Sequence, residues 1–120
     1  MTDADITGAD NQVLLRGRLA DVAEQRILPS GDEIVSFRLI VDRSAAARRR
    51  SRQLVDTFDC SAWTARLRTR ALKLRPGDRI EVSGELRRLF SSRGGGLSSR
   101  VFVDIGSLTR LRAAPVASRT

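Results

Sequence analysis

Apolar and polar residues alternate at every second position in several segments of the chain, and this pattern constrains the fold more than any other feature. In residues 12–20, Val13, Leu15 and Leu19 alternate with polar residues. A period of two predicts a half-buried β-strand. Gly17 interrupts this strand, and a glycine inside a strand usually marks a bulge or a sharp bend of the kind that barrel corners need. We therefore expect strands that curve around one core.

Four further segments alternate in the same way. The predicted strands cover residues 33–42, 54–63, about 79–87 and 100–111, and the fourth contains a second mid-strand glycine, Gly84. Residues 28–32, Leu-Pro-Ser-Gly-Asp, have the chemistry of a tight turn and predict a hairpin before the second strand. In the last two strands, the residues predicted to face the core are Ile80, Val82, Leu86, Val101, Val103 and Ile105.

A short helix is predicted between the third and fourth strands. Thr64 is suited to cap its N-terminus, and Leu67, Ala71 and Leu74 follow at the spacing of one helix face. Pro-Gly-Asp at residues 76–78 ends it. The order of three strands, one helix and two strands predicts an all-β OB-fold, which is a five-stranded Greek-key barrel with one short helix between strands 3 and 4.

The segments without alternation predict loops and ends. Residues 43–53 contain five arginines and are expected to form a long basic loop, whereas the Gly- and Ser-rich residues 91–99 are expected to form a flexible hairpin loop. Residues 1–10 carry three acids and no base, and residues 112–120 have no periodicity. We therefore expect an acidic disordered segment at 1–10, one barrel domain at 11–111 and a short disordered tail at 112–120.

The charge balance and the missing residue types limit the function. The 120 residues include 22 lysines and arginines, 14 acids and no histidine, which gives a formal net charge of +8. This excess predicts attraction to polyanions, with nucleic acid first and an anionic membrane surface second. With Cys60 as the single thiol, a His-based triad, a Cys/His zinc cluster and an intrachain disulfide are excluded, and we expect no cofactor or metal. The free thiol and the lack of a signal or membrane-spanning segment predict a cytoplasmic protein.

Six blocks of the sequence, in order and at matching spacing, resemble the bacterial single-stranded-DNA-binding protein (SSB) family. They are residues 11–19, 26–31, 35–41, 58–63, 74–78 and 80–86. The resemblance implies an OB-fold that self-associates, usually as a homotetramer with a dimer as the alternative. It also implies binding that coats and protects single-stranded DNA (ssDNA) in replication, repair or recombination, without enzymatic activity or strong sequence preference. Relatives often end in an acidic tail that recruits other proteins. Residues 118–120 are Ser-Arg-Thr, so the resemblance is to a short form from which no such recruitment is expected.

The third predicted strand carries the sharpest candidate for base contact. Phe58 and Cys60 share its core face, whereas Asp59 and Trp63 share the opposite face with Thr57, which occupies a position that is often aromatic in the family. Trp63 and Phe90 are predicted to stack on bases, although strand parity turns Phe90 inward unless a bulge intervenes. The predicted phosphate contacts are Arg48, Arg49, Arg50, Arg52, Arg18, Arg38, Arg66, Arg87 and Arg93.

Other readings of these residues stay open. Runs of arginine also serve as solvated surface, and Phe102 suits base stacking and interface packing equally. Phe37 and Phe58 are expected in the core, and Cys60 is expected to be an inert buried thiol. An RNA-binding OB-fold and an oligomeric interaction subunit with weak nucleic-acid binding are the alternative functions. A nuclease that uses Asp59 has little support because no carboxylates gather around it.

Overall fold

The computed structural model describes residues 10–92 and 95–115, and strands dominate this part of the chain. In chain order the elements are β1 (Val13–Leu19), β2 (Glu24–Ile27), β3 (Glu33–Asp42), α1 (Ala45–Arg50), β4 (Val55–Ala62), α2 (Ala65–Leu72), β5 (Arg79–Ser91) and β6 (Ser98–Arg112). The five predicted strands correspond to β1, β3, β4, β5 and β6, and the predicted helix corresponds to α2. Arg93, most of the predicted acidic segment and the end of the predicted tail lie outside the described residues.

Five of these strands close into a barrel. β1 pairs with β5, β5 pairs with β6, and β4 pairs with β3, all antiparallel, whereas β6 and β4 pair in parallel. The ring closes because β1 also pairs with β3 at Arg18 and Leu19. The closed five-stranded ring with α2 between its third and fourth strands confirms the predicted OB-fold.

Two glycines permit the close strand contacts that this barrel requires. A Cβ atom on Gly17 would collide with the carbonyl oxygen of Ile40, next to the point where β1, still paired with β5, begins to pair with β3. A Cβ atom on Gly84 would collide with the carbonyl oxygen of Asp104. The β5–β6 register shifts between Ser83 and Gly84, so this glycine lies at a bulge. Both glycines therefore have the bending role that their positions within the strands predict.

β2 is an additional strand outside the ring. It pairs with β3 through the turn at residues 28–32, where the Leu28 N–H donates to the Asp32 carbonyl at 2.8 Å. Gly31 adopts a φ of 93°, a conformation that glycine accepts without strain. The predicted hairpin is therefore present, but it joins β2 to β3 rather than β1 to β3. All four residues of β2 are exposed. The sequence consequently lacks the apolar alternation that would predict this strand.

The prediction of a continuous basic loop at residues 43–53 is wrong in its centre, where α1 forms. The side-chain oxygen of Ser44 accepts a hydrogen bond from the Ala47 N–H at 3.2 Å and caps this helix. Three alanines favour its first turn, and arginines in the last turn complement the helix dipole. α1 has no buried residue, so no apolar periodicity marks it in the sequence.

The core lies inside the ring and extends under α2, which contributes Leu67 and Ala71. Phe37 belongs to the core as predicted. Phe58 is only half-buried and lies outside the core cluster, because β6 pairs with β4 only at Cys60 and Ser61.

The β5–β6 hairpin extends beyond the barrel, and this changes which of its residues are buried. Leu86 and Val101 are exposed, contrary to prediction, whereas Val103 is buried where β6 contacts β4. The bulge at Gly84 also shifts the alternation of β6, so that Leu108 is buried after Ile105. β5 and β6 reach Ser91 and Ser98, which makes the connecting loop shorter than the predicted residues 91–99.

Asp78 joins the turn before β5 to the end of β6. Its buried carboxylate accepts hydrogen bonds from the N–H groups of Arg75 at 2.9 Å and Ala114 at 2.7 Å. Burial disfavours the charged form, but these two hydrogen bonds and the charges of Arg110 and Arg75 outweigh it and lower the pKa of Asp78. The first residues of the predicted tail are thus held against the barrel, with Arg112 in β6 and Ala114 bonded to Asp78.

Candidate nucleic-acid interface

The sides of β3, β4, β6 and β5 that are directed away from the core form one surface, which is covered at Ser61, where only 7% of the residue is exposed. Arg38 on β3 lies opposite Asp59 on β4, and Ser61 on β4 lies opposite Asp104 on β6. Residues that pair across strands share one side of a sheet, and the alternate residues on these strands form the core. We call this surface the outer face. Trp63 follows β4 directly and retains 38% exposure.

The backbone of Trp63 is fixed by α2. The guanidinium of Arg68 donates hydrogen bonds to the carbonyl oxygens of Trp63 and Glu33, and the Thr64 side chain accepts one from the Leu67 N–H at 3.2 Å. This tie joins the end of β4 to the start of β3. Arg68 was not among the predicted site residues, because its partners are backbone atoms that no side-chain motif reveals.

Four predicted phosphate contacts form an unpaired group at the other end of β4. Arg48, Arg49 and Arg50 occupy the last turn of α1, and Arg52 follows it, all of them exposed. Within residues 10–92 and 95–115, none of the four has an acid within salt-bridge distance. We call these four residues the basic cluster. Arg66 on α2 is also exposed and without an acidic partner in the described part of the chain.

The segment that carries the basic cluster is closed at its base by an ion pair. The guanidinium of Arg43 forms two contacts with the Asp56 carboxylate, at 3.1 and 3.0 Å. Gln53 donates to the same carboxylate at 3.1 Å, and the Arg43 N–H bonds the Leu54 carbonyl at 2.9 Å. Arg43 and Asp56 therefore position the cluster. The sequence did not single them out, because their pairing depends on how β3 and β4 align.

The predicted phosphate contacts on strands are all engaged by carboxylates. The shortest N–O distances are 3.5 Å for Arg18 to Asp42, 3.6 Å for Arg38 to Asp59, and 2.6 and 3.5 Å for Arg87 to Glu85 and Asp104. The structure thus separates the candidates into free arginines outside the ring and paired arginines on it.

The two remaining phenylalanine candidates lie on opposite sides of the β5–β6 hairpin. Phe90, opposite Ser99, has the parity of the core face as predicted, yet it is 62% exposed because the hairpin extends beyond the barrel. Phe102 is half-buried on the outer face, opposite Arg87. Both remain candidates for base contact.

Reactive chemistry is not concentrated on this surface. Burial, with a smaller contribution from the charge of Asp59, raises the pKa of the Cys60 thiol to about 12, so it stays protonated. No group of three or more potential metal ligands occurs among the described residues. In the same residues, no helix is long and apolar enough to span a membrane.

Comparison with protein families identifies the chain. Residues 10–96, which include the ring from β1 through β5, match the model of the Single-strand binding protein family. The chain belongs to this family. It is accordingly a non-enzymatic protein that binds ssDNA.

Solved structures of SSB proteins share the fold. An SSB from Plasmodium falciparum, solved in complex with ssDNA, has a TM-score of 0.74 at 20% identity over 87% of this chain and 96% of its own. The small single-stranded DNA-binding protein from Streptomyces coelicolor has a TM-score of 0.61 at 20% identity over 85% of this chain and 95% of its own. No curated protein matches the sequence.

Proposed function

We propose that ssDNA lies along the outer face of β4, from the basic cluster to Trp63. One observation carries this proposal: the free arginines and the exposed tryptophan lie at the two ends of the same strand. The eight residues of β4 span about 25 Å at the rise of an extended chain. That length suits several nucleotides, and OB-folds bind about 4–16.

The two ends of β4 contact different parts of the DNA because their side chains differ. Guanidinium groups of the basic cluster bind phosphate oxygens, a contact that every sequence offers equally. The indole ring of Trp63 stacks on a base, and stacking tolerates any base because each has a π-face. Neither contact reads base edges, so binding has no strong sequence preference. The protein therefore coats exposed strands during replication, repair or recombination.

Charge contributes more to this binding than stacking does. Thr57 on β4 occupies a position that is often aromatic in the family, and Trp63 is the single tryptophan of the chain, which has no tyrosine. Four free arginines therefore lie at one end of β4, and one strong stacking platform lies at the other. We expect an affinity that falls steeply as salt concentration rises.

Self-association, with a homotetramer as the proposed state, accompanies this function. Before Arg18, β1 pairs with β5 along one side, and its other edge has no partner strand in the described part of the chain. An unpaired edge is a site where a second chain can add a strand. Light scattering measures the number of subunits. We also propose the cytoplasm, with the nucleoid, as the location, because that is where exposed chromosomal strands occur.

The decisive experiment is a titration with oligo-dT that follows tryptophan fluorescence at two salt concentrations. Trp63 is the single tryptophan, so quenching on binding reports a base beside it. We expect quenching, and an affinity that drops at the higher salt concentration. Competition with a matched oligo-U strand measures the preference for DNA over RNA. Binding without any change in fluorescence contradicts the path proposed for the DNA, and absence of binding contradicts the function.

A further inference from the structure

The ion pairs on the outer face have a consequence for how tightly DNA is held. In its middle, this face carries Arg38 and Arg87 as well as the carboxylates of Asp59, Glu85 and Asp104. Arg100 on β6 lines the same depression as Arg38 and Asp59 and has no acid within salt-bridge distance among the described residues. Arg38 and Arg87 differ from it, because a phosphate that approaches either of them meets a charge that is already compensated.

The two arginines differ in how firmly they are held. Glu85 and Asp104 lie directly opposite each other across β5 and β6, a like-charge pair that destabilises a sheet unless a cation bridges it. Arg87 bridges it, with contacts of 2.6 and 3.5 Å. Arg38 has a single partner, Asp59, at 3.6 Å, and its side chain is 66% exposed. Arg38 is thus the arginine that a phosphate can capture by replacing one carboxylate.

We propose that Asp59 competes with DNA phosphate for Arg38 and thereby limits both the affinity and the salt dependence of ssDNA binding. When a phosphate takes Arg38, the Asp59 carboxylate loses its partner and attracts a cation from solution. The cation released from the DNA is then partly taken up again, so this contact adds little to net counterion release. Asp59 is a residue that sets affinity without itself touching the DNA. The inference rests on the proposed path of the DNA along β4.

Asp59→Asn tests this competition because it removes the negative charge and keeps the side-chain shape. Freeing Arg38 is expected to steepen the slope of log K against log salt by about 0.7, the contribution of one phosphate contact to a single strand. The variant does not have to break the Arg38–Asp59 ion pair when it binds DNA. For an exposed ion pair of ordinary strength, this corresponds to an affinity gain of between about 1.5-fold and about 5-fold at low salt. The ratio of the variant's affinity to that of the unmodified chain falls by a factor of roughly 2.6 as the salt concentration rises from about 50 to about 200 mM.

The control is Asp32→Asn, which changes the net charge by the same amount. Asp32 lies in the turn between β2 and β3 and has no salt bridge to a described residue. Binding of fluorescently labelled oligo-dT is measured by anisotropy for the full chain, both variants, Arg38→Ala and the double variant. The gain must appear with Asp59→Asn, be larger than with Asp32→Asn, and vanish when Arg38 is absent.

The outcomes separate this inference from the function on which it rests. If the unmodified chain fails to bind oligo-dT, the proposed function fails. If it binds but the two aspartate variants behave alike, or if the gain persists without Arg38, the competition is refuted. Because the Asp59 side chain is 44% exposed, we expect its variant to fold, and unfolding midpoints verify this. Asp59→Ser provides a second test with the same expected direction.

Discussion

The basic cluster is expected to carry most of the salt dependence of ssDNA binding. Replacing Arg48, Arg49, Arg50 and Arg52 with alanine removes four exposed guanidinium groups that lack acidic partners among the described residues. Each phosphate contact contributes about −0.7 to the slope of log K against log salt. The slope should therefore flatten by roughly 2–3 units. When the salt concentration rises from about 50 to about 200 mM, the affinity of both proteins falls. The factor by which it falls should be roughly 15 to 60 times smaller for the variant than for the unmodified chain.

The fold should survive this change. Alanine has the highest helix propensity, α1 buries none of its residues, and the Ser44 cap and the Arg43–Asp56 ion pair are untouched. Anisotropy of labelled oligo-dT over a series of salt concentrations gives the slope. A matched variant removes the same charge from exposed residues that are outside the basic cluster and were not predicted to contact phosphate: Arg70, Lys73, Arg75 and Arg112, each changed to alanine. An unchanged slope in the first variant, or equal flattening in both, would refute the reasoning, because net charge rather than the cluster would then control binding.

Three further outcomes are expected. Trp63→Ala should weaken oligo-dT binding by about 1–3 kcal/mol, the value of one stacked base, with the unfolding midpoint unchanged; an undiminished affinity would contradict stacking. Gly17→Ala should lower the free energy of unfolding by about 1–3 kcal/mol in urea titrations, because its Cβ meets a carbonyl oxygen, whereas Gly96→Ala, with open space around it, should have little effect. Asp78→Asn should lower the free energy of unfolding at pH 7. This loss of stability should shrink as the pH falls through the pKa of Asp78 in the folded protein, which lies below the ordinary value of 3.8. A deficit that is constant with pH would show that the charge of Asp78 is not what matters.

The parts of the fold that the sequence predicts are those with a strong local signal. Five strands followed from alternation, α2 from its Thr64 cap and apolar face, and the bends from Gly17 and Gly84. β2 has no such signal because all its residues are exposed, and it forms only because β3 offers an edge. The bulge at Gly84 moves the buried position from residue 107 to Leu108, a shift that depends on strand register rather than on composition.

The candidate interface was predictable to the same extent. Parity directed Trp63 away from the core, and the charge run at residues 48–52 located the basic cluster. The pairing of Arg38 with Asp59, and the bridge that Arg87 makes, could not be read from the sequence, because partners 17 or more positions apart meet only once register is fixed. Which arginines are available to phosphate is therefore a property of the fold.

Cross-strand neighbours explain why Arg16 and Arg38 are compensated by acids whereas the arginines of α1 are not. A residue on an inner strand has cross-strand neighbours about 5 Å away, and an arginine there is stabilised when one of them is acidic. Arg16 opposite Glu81 and Arg38 opposite Asp59 follow this rule. The arginines of α1 have no cross-strand neighbours, so no acid lies opposite them on an adjacent strand. An added arginine should consequently raise the affinity for ssDNA more on α1 than beside Asp59, Glu85 or Asp104, where it would adjoin a carboxylate.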